Sequence, residues 1–214
     1  MTTLNPIILA LDVDSPARAQ ELSSLLGDLV GAFKIGQKLI HQSGCEQLVD
    51  NLIREGHDVF LDAKIFDIPE TVYQGVKALA NRGITYTTVY GDTSVVEAAV
   101  KAAEGTQLKV LLVTVLTSWT MHNLLDMGVA QAIEEVVLRR AKMASALGCP
   151  GIICSAQDNP SWIRNQVEDP HLLMVTPGVR PAGSDAHDQK RIMTPRAAID
   201  AGSDLLVIGR PIWD

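Results

Sequence analysis

The chain has 214 residues and a formal net charge of −7, with 47% hydrophobic and 20% charged residues. This length fits one domain, and the composition is that of an ordinary globular protein. The acidic balance argues against unspecific nucleic-acid binding, and no apolar run approaches the ~18 residues that would suggest a membrane span.

The start, Met1-Thr2-Thr3-Leu4-Asn5-Pro6, lacks the basic residues of a secretory signal. The three cysteines, Cys45, Cys149 and Cys154, give an odd count without metal-type spacing. They read as buried reduced thiols of a cytoplasmic protein.

Short apolar runs alternate with longer amphipathic stretches along the chain. The runs Ile7–Leu11, Gly31–Ile35, His57–Leu61, Thr85–Tyr90, Lys109–Thr114, Gly151–Cys154, Leu172–Thr176 and Leu205–Ile208 are predicted strands. The first predicted helix, Ala17–Leu26, follows Ser15-Pro16, an N-cap and a first-turn proline. Further helices are predicted over Lys38–Arg54, Pro69–Asn81, Ser94–Ala103, Gln131–Leu147, Ser161–Val167 and Pro195–Ala201. Glycines such as Gly56, Gly83 and Gly202 close several of them.

Repeated strand-then-helix alternation predicts a parallel sheet with helices outside it. Eight such strands in this length favour one closed (β/α)8 TIM barrel over residues 1–214 rather than an open sheet. The pattern stops at Pro211-Ile212-Trp213-Asp214, directly after the eighth strand, so the eighth helix is absent or displaced.

Barrel chemistry sits at the C-terminal ends of the strands. The polar residues of this chain gather there: Asp12, Lys34, Asp62 and Lys64, Thr114 and Thr117, Pro177 and Gly178, and Gly209 and Arg210. Strand alternation puts Asp62 and Lys64 on one face, where carboxylate and ammonium keep each other ionised. A lysine held between carboxylates stays protonated and can donate a proton to carbon. A structural ion-pair network at the barrel mouth would place the same residues in the same way, and the residues alone leave both readings open.

The stretches Pro177-Gly178-Val179-Arg180-Pro181 and Ile208-Gly209-Arg210 follow the seventh and eighth strands, where barrels commonly bind phosphate. Glycine admits the oxygens to the backbone and Arg210 can grip them bidentately. Two ordinary turns with a solvated arginine are the alternative. The polar segment Ala182–Arg191 is either a lid or a solvated loop. None of the five histidines has ligand spacing, and no Gly-x-Gly-x-x-Gly or Walker-type loop supports a nucleotide cofactor.

Taken in order, these motifs resemble the orotidine 5'-monophosphate decarboxylase family. The matching segments are Leu9-Ala10-Leu11-Asp12, Phe33-Lys34-Ile35-Gly36, Asp62-x-Lys64-x-x-Asp67-Ile68-Pro69-x-Thr71 and Val113-Thr114-Val115-Leu116-Thr117-Ser118. Thr176–Pro181, Asp188–Pro195 and Val207–Pro211 complete the set, which spans nearly the whole chain. The resemblance implies cofactor-independent decarboxylation of orotidine 5'-phosphate to uridine 5'-phosphate by a homodimer, with no metal.

It further implies that Lys34, Asp62, Lys64 and Asp67 form a charged tetrad, with Asp67 reaching into the neighbouring subunit's site. Lys64 would protonate C6 while Asp62 faces the departing carboxylate. Asp12 and Lys34 would touch the ribose, with Thr71 and Ile68 contributing at the shared site. Thr117 would meet the pyrimidine edge. Pro177, Arg180, Gly209 and Arg210 would surround the phosphate. The chain departs from many relatives at Ile65-Phe66, Glu70, Tyr90 and Ala182. The stretch Asp62-Ala63-Lys64-Ile65 is also similar to the magnesium-dependent 3-keto-L-gulonate-6-phosphate decarboxylases, which typically carry glutamate where this chain has Lys34.

Overall fold

The structure, a computed structural model, describes residues 5–182 and 193–213. Eight parallel strands close on themselves in chain order: β1 (Ile7–Ala10), β2 (Ala32–Ile35), β3 (Val59–Ile65), β4 (Tyr86–Val89), β5 (Lys109–Val113), β6 (Gly151–Ile153), β7 (Leu173–Thr176) and β8 (Leu205–Ile208). The closing pair sets Ile8 opposite Val207 and Leu9 opposite Ile208.

The helices that cover this barrel are α1 (Pro16–Leu26), α2 (Gln37–Ile40), α3 (Cys45–Arg54), α4 (Pro69–Arg82), α5 (Thr93–Ala103), α6 (Met121–Asp126), α7 (Ile133–Ala146), α8 (Pro160–Val167), α9 (Pro195–Asp200) and α10 (Arg210–Trp213).

Side-chain alternation divides the core in two. Ile8, Ala10, Phe60, Tyr86, Leu111, Val113, Val175 and Val207 fill the barrel interior. Their neighbours Leu9, Phe33, Val59, Leu112, Ile152 and Met174 point outward and pack against the helices. The helix α3 shows the matching pattern, burying Cys45, Leu48, Val49 and Leu52 along one stripe. Caps fall where the sequence places them. Ser15 accepts a hydrogen bond from the Arg18 N–H at 3.2 Å with Pro16 in the first turn of α1. Gly83 closes α4 at φ +86°. All three cysteines are buried and free, and burial pushes the Cys149 thiol up to about 11.

Three local features differ from the sequence expectation. The stretch Lys38–Arg54 is two helices, because Gly44 takes a left-handed φ of +88° and starts α3 afresh. The strand β3 runs past Leu61 to Ile65, so it carries Asp62 and Lys64 within it. The described residues after β8 end in one helical turn, α10, whose Trp213 Nε1–H donates to the Ala10 carbonyl at 2.9 Å. Of the expected lid only Ala182 is described, and residues 188–192 of the segment Asp188–Pro195 likewise lie outside the described residues.

Leu111 is fully buried in the barrel interior, away from the helices. Leu111→Ala should lower unfolding stability by about 2–5 kcal/mol in urea denaturation, since the interior of a closed barrel collapses poorly around a void.

Candidate active site

The C-terminal ends of the strands surround a cavity of about 530 Å³. Its charged wall is built from β1 to β3. Asp12 follows β1, and its Oδ1 accepts a hydrogen bond from Lys34 Nζ at 3.1 Å. Lys34 comes from β2, where its neighbours Phe33 and Ile35 are buried against the helices and leave it facing inward. Its Nζ also stands 3.7 Å from Asp62 Oδ2. Lys64 Nζ donates to both oxygens of Asp62, at 2.8 and 2.9 Å. One carboxylate thus lies between two ammonium groups.

Exposure orders these groups. The side chains of Lys34 and Asp62 are 9% and 14% exposed, whereas that of Lys64 is 37% exposed. Lys64 is therefore more open to a molecule in the cavity than Lys34 or Asp62, while Asp12 at the rim is 48% exposed. Burial would push the Asp62 carboxyl up, but the Lys34 and Lys64 charges and the hydrogen bonds from Lys64 and Thr88 outweigh it. The net direction is downward, so Asp62 stays ionised through neutral pH.

The pairing of Asp62 with Lys64 does not come from regular strand alternation. Leu61 pairs with Thr87 and Ile65 with Val89, so Asp62, Ala63 and Lys64 all stand opposite Thr88. Lys64 accommodates this with φ +49°, a conformation that costs a non-glycine residue about 1–3 kcal/mol. The irregular segment turns its ammonium back onto Asp62. Gly36 leaves room for the Lys34–Asp12 pair: a Cβ there would lie 2.8 Å from Lys34 Nζ and 3.2 Å from Asp12 Oδ1, and the lysine end would have to shift.

The opposite wall comes from β5, β7 and β8. Thr117 is buried at the cavity, and Pro177, Gly178 and Arg180 line it after β7. The Arg180 Nη1 donates to the Val179 carbonyl at 2.9 Å. Gly209 and Arg210 complete this wall at the start of α10. Closure of the barrel puts Gly209 against Ala10, whose Cβ would lie 3.4 Å from an added Cβ. Cationic and backbone groups therefore face a carboxylate and two ammonium groups across one cavity, an arrangement suited to a small polyanion.

The structure brings Asp12, Lys34, Asp62, Lys64, Thr117, Pro177, Arg180, Gly209 and Arg210 to this cavity. It does not bring Asp67, Ile68 or Thr71 to it. All three are exposed, in the turn after β3 and the first turn of α4. Asp67 Oδ1 accepts from the Ile68 N–H at 2.7 Å. Thr114, also expected at the rim, donates its hydroxyl to the Ile153 carbonyl at 2.7 Å.

Two participants were not singled out from sequence. Thr88, fully buried on β4, donates to Asp62 Oδ1 at 2.8 Å. Gln37 lines the cavity and donates to the Ala63 carbonyl at 2.9 Å. A threonine in a predicted strand reads as an ordinary β-former, so only its position opposite Asp62 reveals it. Among the described residues, no group of three or more His, Cys, Asp or Glu side chains stands together to hold a metal ion.

Comparison with known proteins places the chain in a family. The model of the Orotidine 5'-phosphate decarboxylase / HUMPS family matches residues 5–214. An orotidine 5'-phosphate decarboxylase of Afipia carboxidovorans is 44% identical over 214 residues, covering 99% of this chain and 90% of the relative. One from Methylococcus capsulatus is 41% identical over 209 residues, covering 97% of this chain and 85% of that protein. The crystal structure of orotidine 5'-phosphate decarboxylase from Lactobacillus acidophilus superposes with a TM-score of 0.82 at 36% identity, covering 97% of this chain and 91% of that one. With its closed barrel, its charged cavity and a family match over nearly its whole length, the chain belongs to the Orotidine 5'-phosphate decarboxylase / HUMPS family.

Proposed function

We propose that this chain decarboxylates orotidine 5'-phosphate to uridine 5'-phosphate in pyrimidine nucleotide biosynthesis, in the cytoplasm and without metal or organic cofactor. The observation that carries the reading is the Lys34–Asp62–Lys64 arrangement at the cavity, one ionised carboxylate between two ammonium groups. It occurs in a chain 44% identical to a relative of that name.

The substrate is anionic at its phosphate and at its carboxylate. Arg210 and the Gly209 backbone hold the phosphate, with Pro177 and Arg180 shaping that end of the cavity. Glycine at 209 leaves the backbone open to the oxygens. Asp12 and Lys34 take the ribose hydroxyls, and Thr117 meets the edge of the pyrimidine. The substrate carboxylate at C6 then lies beside Asp62. Because Lys34 and Lys64 keep Asp62 ionised, it repels that carboxylate until carbon dioxide leaves. The C6–carboxylate bond breaks, its electron pair stays on C6, and the Lys64 ammonium delivers the proton. Lys64 is left as an amine and is reprotonated from solvent. Binding energy from the remote phosphate serves to position C6 against this prearranged charge.

The site is completed by a second copy of the chain. Asp67, Ile68 and Thr71 are exposed and do not line their own cavity, and are assigned to the partner's. Phe66 and Ile68, 69% and 67% exposed, support this reading by flanking Asp67 with apolar surface that a partner would cover.

Purified protein with excess chelator should consume orotidine 5'-phosphate, seen as loss of its ultraviolet absorbance. No turnover under these conditions rejects the reading, and decarboxylation of a sugar phosphate instead, silenced by chelator, points to the sugar-phosphate branch of the family. Two substitutions separate chemistry from binding. Lys64→Ala should lower kcat at least about a hundredfold while calorimetry still detects uridine 5'-phosphate binding. Arg210→Ala should weaken that binding by about ten- to a hundredfold; unchanged affinity would remove Arg210 from the phosphate site. Asp67→Ala should be inactive alone. Mixed with Lys64→Ala after subunit exchange, it should recover about a quarter of parental activity, since each mixed dimer holds one intact site.

A further inference from the structure

We propose that Thr88 is a positioning residue for this site: its one hydroxyl fixes the Asp62 carboxylate and the Lys64 backbone together, and so decides where the Lys64 ammonium stands. The kinetic part of this inference rests on the decarboxylase reading, while the contacts rest on geometry alone.

A hydroxyl can donate one hydrogen bond and accept others. Asp62 is ionised and can only accept, so Thr88 Oγ1–H donates to its Oδ1, at 2.8 Å. The Lys64 N–H can only donate, and it does so to the same Oγ1 at 2.9 Å. The donor and acceptor roles of Thr88 are therefore both used, each on a charged residue of the site. The other end of the Ala63–Lys64 peptide is also held. The Ala63 carbonyl accepts from Gln37 Nε2 at 2.9 Å, and Gln37 Oε1 is in turn 2.9 Å from His41 Nε2.

One peptide group is thus gripped at its N–H from β4 and at its carbonyl from α2. It is the peptide preceding Lys64, whose φ of +49° persists only if the surroundings impose it. Thr88 is fully buried and does not line the cavity, so it acts through Asp62 and Lys64 rather than on substrate. Its neighbour Thr87 is equally buried, but its hydroxyl donates at 2.9 Å to the Leu61 carbonyl, outside the charged group. Thr87 is the internal control.

The test compares Thr88→Val, Thr88→Ser and Thr87→Val in the full chain. Valine keeps the shape and removes the hydroxyl. Thr88→Val should lower kcat for orotidine 5'-phosphate by about ten- to a hundredfold with KM within about threefold, because the phosphate grip is untouched. Thr88→Ser should restore most of kcat, and Thr87→Val should stay near the parent. A second readout needs no substrate. The Asp62 carboxyl carbon, followed by NMR and assigned with Asp62→Asn, should titrate at higher pH in Thr88→Val than in the parent, because a donor to the charged form is gone. Serine should return it.

Parental kcat and parental Asp62 titration in Thr88→Val would overturn the proposal, as would failure of serine to rescue or an equal loss in Thr87→Val. If the parent itself does not turn over orotidine 5'-phosphate, the decarboxylase reading fails and the titration alone decides whether Thr88 positions Asp62. Should valine prevent folding, Thr88→Ala removes the hydroxyl without adding bulk and carries the same expected and overturning results.

Discussion

A carboxylate held nearly out of water is the constraint around which the upper half of this barrel is arranged. Asp62 could not remain ionised there on its own, since burial alone favours the neutral acid. It remains so because Lys34 arrives from β2, Lys64 from its own strand and Thr88 from β4. The dependence is mutual. Lys34 is as buried as Asp62, and two ammonium groups this close would repel each other without the carboxylate between them. Removing Asp62 would leave Lys64 without its carboxylate partner and Lys34 with Asp12 alone, so the carboxylate is the member on which both ammonium groups depend.

The closed barrel makes this unit useful. In an open sheet β8 would lie at the far edge from β1. Closure pairs them directly, and Gly209 and Arg210 come to stand beside Ala10 and Asp12. An anion held at the β8 end, as proposed, would span the cavity toward the charges of β2 and β3. The apolar interior below includes Phe60 and Val207, which line the floor of the cavity. Above it, α10 is tied back to β1 through Trp213 and the Ala10 carbonyl, which sets the direction in which Arg210 leaves the barrel.

The irregular end of β3 shows how local strain and function meet. Regular pleating would have carried Lys64 onward along the strand. Three residues opposite Thr88, with Lys64 at positive φ, fold the ammonium back onto its neighbour. A conformation this unfavourable needs surroundings that hold it, and hydrogen bonds from Gln37 and to Thr88 supply them.

Alternation of short apolar runs with amphipathic stretches was enough to specify a barrel, because strand and helix periods differ and eight repeats leave few other topologies. The charged residues at the strand ends were legible for the same reason: an Asp or Lys just after a buried run must find partners or water. Helix limits followed their caps at Ser15 and Gly83, whereas the break at Gly44 was missed, since a glycine within an amphipathic stretch does not announce a left-handed turn. What the one-dimensional pattern could not contain was contact between strands. That Thr88 rather than Thr87 meets Asp62 depends on register across β3 and β4, and register is set by packing of the whole sheet. That Asp67, Ile68 and Thr71 stay exposed and do not line their own cavity is likewise decided by the folded chain. Composition and spacing determined which residues carry charge and which strand each ends; tertiary structure decided which of those charges touch, because distance between side chains is a property of the folded sheet and not of the chain.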